Sequence, residues 1–190
     1  AVGVSASDEE ETRQNLIVER FNAILEKNPR RGTAFDKVYV HHAERGTLDA
    51  FVQKYYQRAN DANPQSDNPL DSPDKKTDSV RRSRDWMIVG LTEWKRGKEK
   101  LALEAFQSAD RLDDTNGLPA YYAGLILMAT GLDEKSAESL ERAIKRRPDR
   151  TDLLEIFQTL GRVYQRMGRV EKALDVWNRL EQQFPNDERV

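Results

Sequence analysis

The sequence predicts an all-α solenoid of antiparallel helix pairs. Large apolar residues recur at helical spacing and are punctuated first by a single Gly and then by a Pro or polar break, so that stretch after stretch reads as helix, turn, helix, stop. The pattern restarts near residues 33, 83, 117 and 154, a periodicity that marks a repeat architecture rather than one thick core. Composition agrees, because 37% hydrophobic and 34% charged content suits a thin stack of helices.

Taken in order, residues 1–9 lack periodicity and read as a disordered N-terminal segment ahead of a helical domain over 10–190. The acidic run Asp8 to Glu11 suits the positive end of a helix over 10–28, in which Ile17, Phe21, Ile24 and Leu25 form one face and Asn28-Pro29 stops the element. A first unit spans about 33–64, with Tyr39 and Val40 in its first helix, Gly46 at the turn, Val52, Tyr56 and Ala59 in its second helix and Pro64 as the stop. Residues 65–79 are rich in Pro, Asp and Ser and nearly free of apolar side chains, and read as an inserted loop. The next unit, 83–116, carries Trp86, Val89, Gly90, Gly97, Ala102, Phe106 and Ala109. Ala123, Gly124, Gly131, Leu140, Ala143 and Pro148 mark the unit over 117–150. In the last, 154–187, the row is Phe157, Leu160, Gly161, Tyr164, Gly168, Ala173, Trp177 and Pro185.

That last row resembles the tetratricopeptide repeat almost position for position, and the three earlier units resemble it with departures. Val40 stands where a small residue lets helices approach, Glu93 where an aromatic is usual, Asp114 in place of the proline and Ser136 in place of Ala. The resemblance implies a right-handed superhelix with a concave face lined by the first helix of each pair. Its register puts Lys37, His41 and Glu44, then Arg84, Met87, Leu91 and Trp94, then Tyr121, Leu125 and Met128, then Gln158, Arg162, Gln165 and Arg166 on that face. These are the expected peptide-binding residues of a groove with an apolar centre and polar ends. The family's carboxylate clamp is disfavoured: Lys37 fits it, but His41 stands where Asn is needed, and Met87 and Ile88 occupy polar positions.

Other chemistry has little support in the sequence. With 31 basic against 33 acidic residues, the formal net charge of -2 provides no overall field to recruit nucleic acid or an anionic membrane. No apolar run approaches the ~20 residues of a membrane span. Cysteine is absent, which removes disulfides and thiol chemistry but suits a reducing or an oxidising compartment, and the small polar start resembles what remains after a signal peptide is removed, or an expression scar. His41 and His42 are adjacent on a helix and point apart, so they do not chelate one ion. Asp67, Asp71, Asp74 and Asp78 lack the Gly and terminal Glu of a calcium loop. No enzyme motif and no cofactor or metal site is expected. A basic group of Lys145, Arg146, Arg147, Arg150, Arg162 and Arg166 reads as a solvated face or a site for an acidic partner.

Two functions fit. One is a non-enzymatic scaffold that holds a peptide or helix of a partner protein in the groove. The other is a structural segment of a longer solenoid or larger enzyme, with the groove filled by the same polypeptide. The stripe Ala173, Val176, Trp177, Leu180 and Phe184 near the C-terminus is expected to be partly uncovered and used either for self-association through a two-fold contact or for continuation of the array.

Overall fold

A computed structural model describes residues 6–61 and 75–185, with side chains from residue 12 of the first helix and from residue 76 of the fourth. The described residues form nine α-helices and no strand: α1 (Ala6–Lys27), α2 (Thr33–Glu44), α3 (Leu48–Asn60), α4 (Lys75–Lys95), α5 (Glu99–Leu112), α6 (Leu118–Ala129), α7 (Asp133–Lys145), α8 (Arg150–Arg166) and α9 (Val170–Gln183). They divide into two units, Ala1–Arg96 and Gly97–Val190. The segment expected as one repeat over 83–116 therefore contributes its first helix to one unit and its second to the other.

The turns follow from glycine. Gly46, Gly131 and Gly168 have φ of +66°, +77° and +69°, a left-handed conformation that costs a residue with a Cβ far more than it costs Gly. In each case the glycine N–H reaches a carbonyl three residues back and the next N–H one five residues back: Thr47 to His42 at 2.9 Å, Leu132 to Leu127 at 2.9 Å, Arg169 to Tyr164 at 2.9 Å. These paired bonds satisfy carbonyls that a helix end leaves open, and they reverse the chain into an antiparallel pair.

In the second unit α6 is enclosed almost all round, with Leu118 to Gly124, Ile126 and Leu127 buried between α5 and α7 and against α8. The flanking helices are amphipathic and turn Ala102, Ala105, Phe106 and Ala109 (α5), Ala137, Leu140, Ala143 and Ile144 (α7) and Ala173, Val176 and Leu180 (α9) inward. Small residues set the approach. A Cβ on Gly124 would lie 2.9 Å from Leu140 Cγ, and one on Gly161 would lie 2.6 Å from Trp177 Cε2. Ser136, buried at 0% exposure, donates 2.8 Å to the Gly124 carbonyl, so its hydroxyl is tolerated where Ala is usual.

The first unit packs α1 on α2 and α3 on α4, while α2 and α3 meet over a small area with Val40 left 46% exposed. Leu25, Phe35, Val38, Phe51, Ala59, Ile88 and Val89 form its apolar core. Through it runs a polar chain. Tyr55 Oη donates to Glu26 at 2.6 Å, Arg58 reaches Glu26 at 2.7 Å and Asp85 at 3.1 Å, and Arg81 reaches Asp85 at 3.0 Å and Asp78 at 2.8 Å. Burial pushes the Asp85 carboxyl up, against the pull of Arg58 and Arg81. Burial also opposes ionisation of Glu26, yet the bonds from Tyr55 and Arg58 hold its carboxyl below the usual range. Arg81 and Arg82 close the C-terminal end of α3, donating to the carbonyls of Arg58, Ala59 and Asp61 at 2.9–3.2 Å.

Two sequence expectations meet different boundaries. α1 begins at Ala6, so 6–9 are helical where disorder through residue 9 was expected, and residues 1–5 lie outside the described residues. α4 begins at Lys75, which places the last part of the expected 65–79 loop in a helix; residues 62–74 lie outside the described residues. The physical reason is charge. Asp78 pairs with Arg81 and Arg82, and Arg81 with Asp85, one helical turn apart, extending α4 beyond its apolar stripe. Residues 186–190 also fall outside the description.

Candidate functional site

The residues expected on a concave face separate by unit. In the first, Lys37 and Arg84 are exposed. His41 is half-buried, and its Nδ1 accepts from Arg45 Nη1 at 2.8 Å. Burial, then the Arg45 charge, hold the His41 pKa below its ordinary value. Met87 and Leu91 are not surface residues at 0% and 1% exposure. α4 is buried on every side from Met87 to Glu93, so the two side chains belong to the core and line no open face. Trp94 is half-buried, with the Arg31 guanidinium 5.2 Å from its ring centroid. Glu93, 5% exposed, accepts from Arg96 at 3.2 Å through Oε1, an ion pair at the position where the repeat usually has an aromatic.

The second unit brings its seven expected residues onto two neighbouring helices, α6 and α8. Tyr121 is 5% exposed and its hydroxyl donates to Glu155 at 3.0 Å, tying the two helices at one end. Arg166 ties them at the other, donating at 2.6 Å to the Met128 carbonyl and at 2.8 Å to Asp133, with a second, shorter bond between the same guanidinium and carboxylate. That bond holds the Asp133 carboxyl below its usual range. Between the ties, Leu125, Met128 and Gln158 are half-buried, while Arg162 and Gln165 are exposed. Arg162 lies along its own helix, 3.3 Å from the Gln158 carbonyl and 3.4 Å from Thr159 Oγ1, long bonds that a better acceptor would displace.

The face is therefore a short strip with aliphatic and thioether groups on α6 and a polar row on α8. Sequence reasoning missed Glu155, although it lies three residues before Gln158 on the same side of the helix. The basic group from Lys145 to Arg166 does not gather into an anion site. Arg146 is held by Asp110 and by the Asn116 carbonyl at 3.0 Å, Arg150 lies 4.7 Å over the Phe184 ring, and Arg166 is committed to Asp133. Among the described residues, no group of three or more His, Asp or Glu is placed to hold a metal ion, and no helix is long and apolar enough to cross a membrane.

Comparison with known proteins places the regular part of the chain. Residues 120–150 and 158–187 each match the family described as tetratricopeptide repeat. The crystal structure of MamA is 15% identical with a TM-score of 0.56, covering 95% of this chain and 95% of that one. Another MamA crystal structure gives 15% identity and a TM-score of 0.56 over 93% of this chain and 85% of the other. A thermophilic TPR protein of Thermus thermophilus is 19% identical over 94% of this chain and 87% of its own, with a TM-score of 0.46. At 15% identity the likeness to the two MamA structures is one of fold. No curated protein matches by sequence.

Proposed function

We propose that the α6/α8 face, in the part of the chain whose residues 120–150 and 158–187 match the tetratricopeptide repeat, an all-α array suited to holding other proteins, binds an extended peptide or a helix of a partner. The observation that carries the proposal is the pairing on that face of half-buried Leu125 and Met128 with the exposed row Glu155, Arg162 and Gln165, fixed at both ends by the Tyr121–Glu155 and Met128–Arg166 bonds. Apolar contact with Leu125 supplies affinity, and Arg162, loosely held, is the group free to turn toward a carboxylate or backbone carbonyl of the ligand. Pre-formed ties reduce the ordering cost of binding. A polypeptide suits this strip better than nucleic acid, since Arg166 is neutralised by Asp133 and Glu155 adds negative charge. Self-association, the other partnership expected from the sequence, concerns different faces.

The test is selection from a phage-displayed library of random linear peptides. Peptides recovered on the parent chain are expected to lose about tenfold or more in affinity for Leu125→Asp and for Arg162→Glu. Recovery of peptides that bind both variants as well as the parent, or of none at all, overturns the assignment.

A further inference from the structure

We infer that the outward faces of α1 and α9 are the two halves of a head-to-tail contact between copies of this chain. On α1, Leu25 is buried and Val18, Phe21 and Asn22 are half-buried, which fixes the inner side. At about 100° per residue the opposite side carries Arg13, Leu16, Ile17, Arg20, Ile24 and Lys27, all exposed. Leu16, Ile17 and Ile24 are 53%, 39% and 55% exposed and stand on the same side of one helix, so their aliphatic groups can be covered together by one partner. The three cations stand at seven-residue intervals, and among the residues of α1 whose side chains are described no acid shares their side: Glu19 is exposed on a flank, and Glu26 is turned to Tyr55 and Arg58. The face is a basic ladder with aliphatic rungs.

α9 presents the opposite pattern. Its inner side is Ala173, Val176 and Leu180, and Phe184 beyond its end is 2% exposed. The stripe expected to be uncovered is thus packed within the chain's own unit, with only Trp177 half-buried, because α8 covers it. Among the exposed residues of α9, Val170, Glu171, Leu174, Asp175 and Glu181 form the acidic and aliphatic set, with Val170 65% and Leu174 56% exposed, while the exposed Lys172 lies 5.4 Å from the Tyr164 ring centroid. Arg179 lies 3.7 Å from Asp175 but closer, at 3.2 Å, to Glu141.

Charge chooses the partner. Two α1 faces, or two α9 faces, would set like charges against each other while covering their aliphatic groups. One α1 against one α9 sets Arg13, Arg20 and Lys27 against Glu171, Asp175 and Glu181 and buries leucine and isoleucine on valine and leucine. The charges fix partner and direction, and the aliphatic area lost to water supplies affinity. Because the halves are different surfaces of one molecule, the contact is heterologous and propagates into a file or closes into a ring. None of these residues lies on the α6/α8 face, so the inference stands or falls apart from the peptide-binding proposal.

Sedimentation velocity over a concentration series tests it. At about 0.05 M salt the weight-average mass is expected to at least double with concentration, and to fall back toward the monomer at about 0.5 M. Two triple variants follow, one with Arg13→Glu, Arg20→Glu and Lys27→Glu, the other with Glu171→Lys, Asp175→Lys and Glu181→Lys. Each alone carries one sign on both faces and should be monomeric with an unchanged circular dichroism spectrum. Mixed, each variant offers the other two complementary faces, and association should return. A parent chain that stays monomeric, a variant that still associates alone, or a mixture that does not recover overturns the proposal.

Discussion

The two units hold helices together in different ways. In the second unit the contacts are matters of shape: Gly124 admits Leu140, Gly161 admits the Trp177 ring, and the buried Ser136 hydroxyl is spent on a neighbouring carbonyl. In the first unit the contact of α1, α3 and α4 passes through Glu26, Tyr55, Arg58, Asp85, Arg81 and Asp78. Shape contacts tolerate volume-conserving exchange and punish added atoms. Ionic contacts punish the removal of one partner, which strands the other without compensation. The difference also explains which part of the chain matches the family, since residues 120–150 and 158–187 fall in the unit built on small residues.

The largest expected effect breaks the ionic side of this comparison. Asp85 is 2% exposed between Arg58 and Arg81, and Asp85→Leu should destabilise the first unit by about 3 kcal/mol. Replacing the pair together, Asp85→Leu with Arg81→Met, should recover part of that loss. Peptide-resolved hydrogen exchange reads it: amides of α3 and α4 should exchange faster in the single variant, with α8 and α9 as reference. Equal acceleration of α8 and α9 would mean that the units open as one and that the contrast has no energetic content.

The shape side comes next. Gly124→Leu and Gly161→Leu each place side-chain atoms where Leu140 or Trp177 already sits, and should cost on the order of 1–3 kcal/mol through overpacking. Gly161→Leu should be partly relieved by Trp177→Leu, whereas Gly124→Leu should not, and thermal melts of the four proteins distinguish these cases. Melts unchanged by both single variants would remove small-residue packing as the basis of the second unit.

What could be read from the sequence follows the same division. Gly131, Gly168, Gly124 and Gly161 are legible because a turn with positive φ and a tight helix crossing each demand a residue type at a fixed spacing. The early part of α4 was not legible, because Asp78, Arg81 and Asp85 support it by charge without an apolar period. Met87 and Leu91 were misplaced since one helix's periodicity cannot report how many neighbours surround it, and α4 is enclosed on all sides there. Glu26, Tyr55, Arg58 and Asp85 come from three helices and leave no local pattern at all. On the candidate face, the α6 and α8 positions were expected from the regular spacing that both helices keep, while the Tyr121–Glu155 bond required knowing which side chains meet.

The smallest expected effect concerns pH and sharpens the electrostatic character of the first unit. His42 is half-buried, its ring centroid 4.4 Å from that of Phe51 and its Nδ1 2.7 Å from Thr47 Oγ1. Burial, and then the nearby charges of His41, Lys54 and Arg45, hold its pKa below the ordinary value; His41 is displaced the same way by burial and Arg45. The unfolded chain therefore binds these protons more readily than the folded one, and stability rises with pH across the interval. The contribution is fully present above the unfolded value of about 6.5 and is lost as pH falls through it toward the folded values. Between pH 7.5 and 5, above the range in which Glu26 takes up its proton, hydrogen exchange of α2 and α3, corrected for the intrinsic pH dependence, should report falling protection. The double variant His41→Gln and His42→Gln should flatten that trend while leaving the second unit's behaviour as it was. A parent chain whose α2 and α3 protection is already flat over this interval would show that both rings reach water freely when protonated, and that the α2–α3 contact is looser than its geometry indicates.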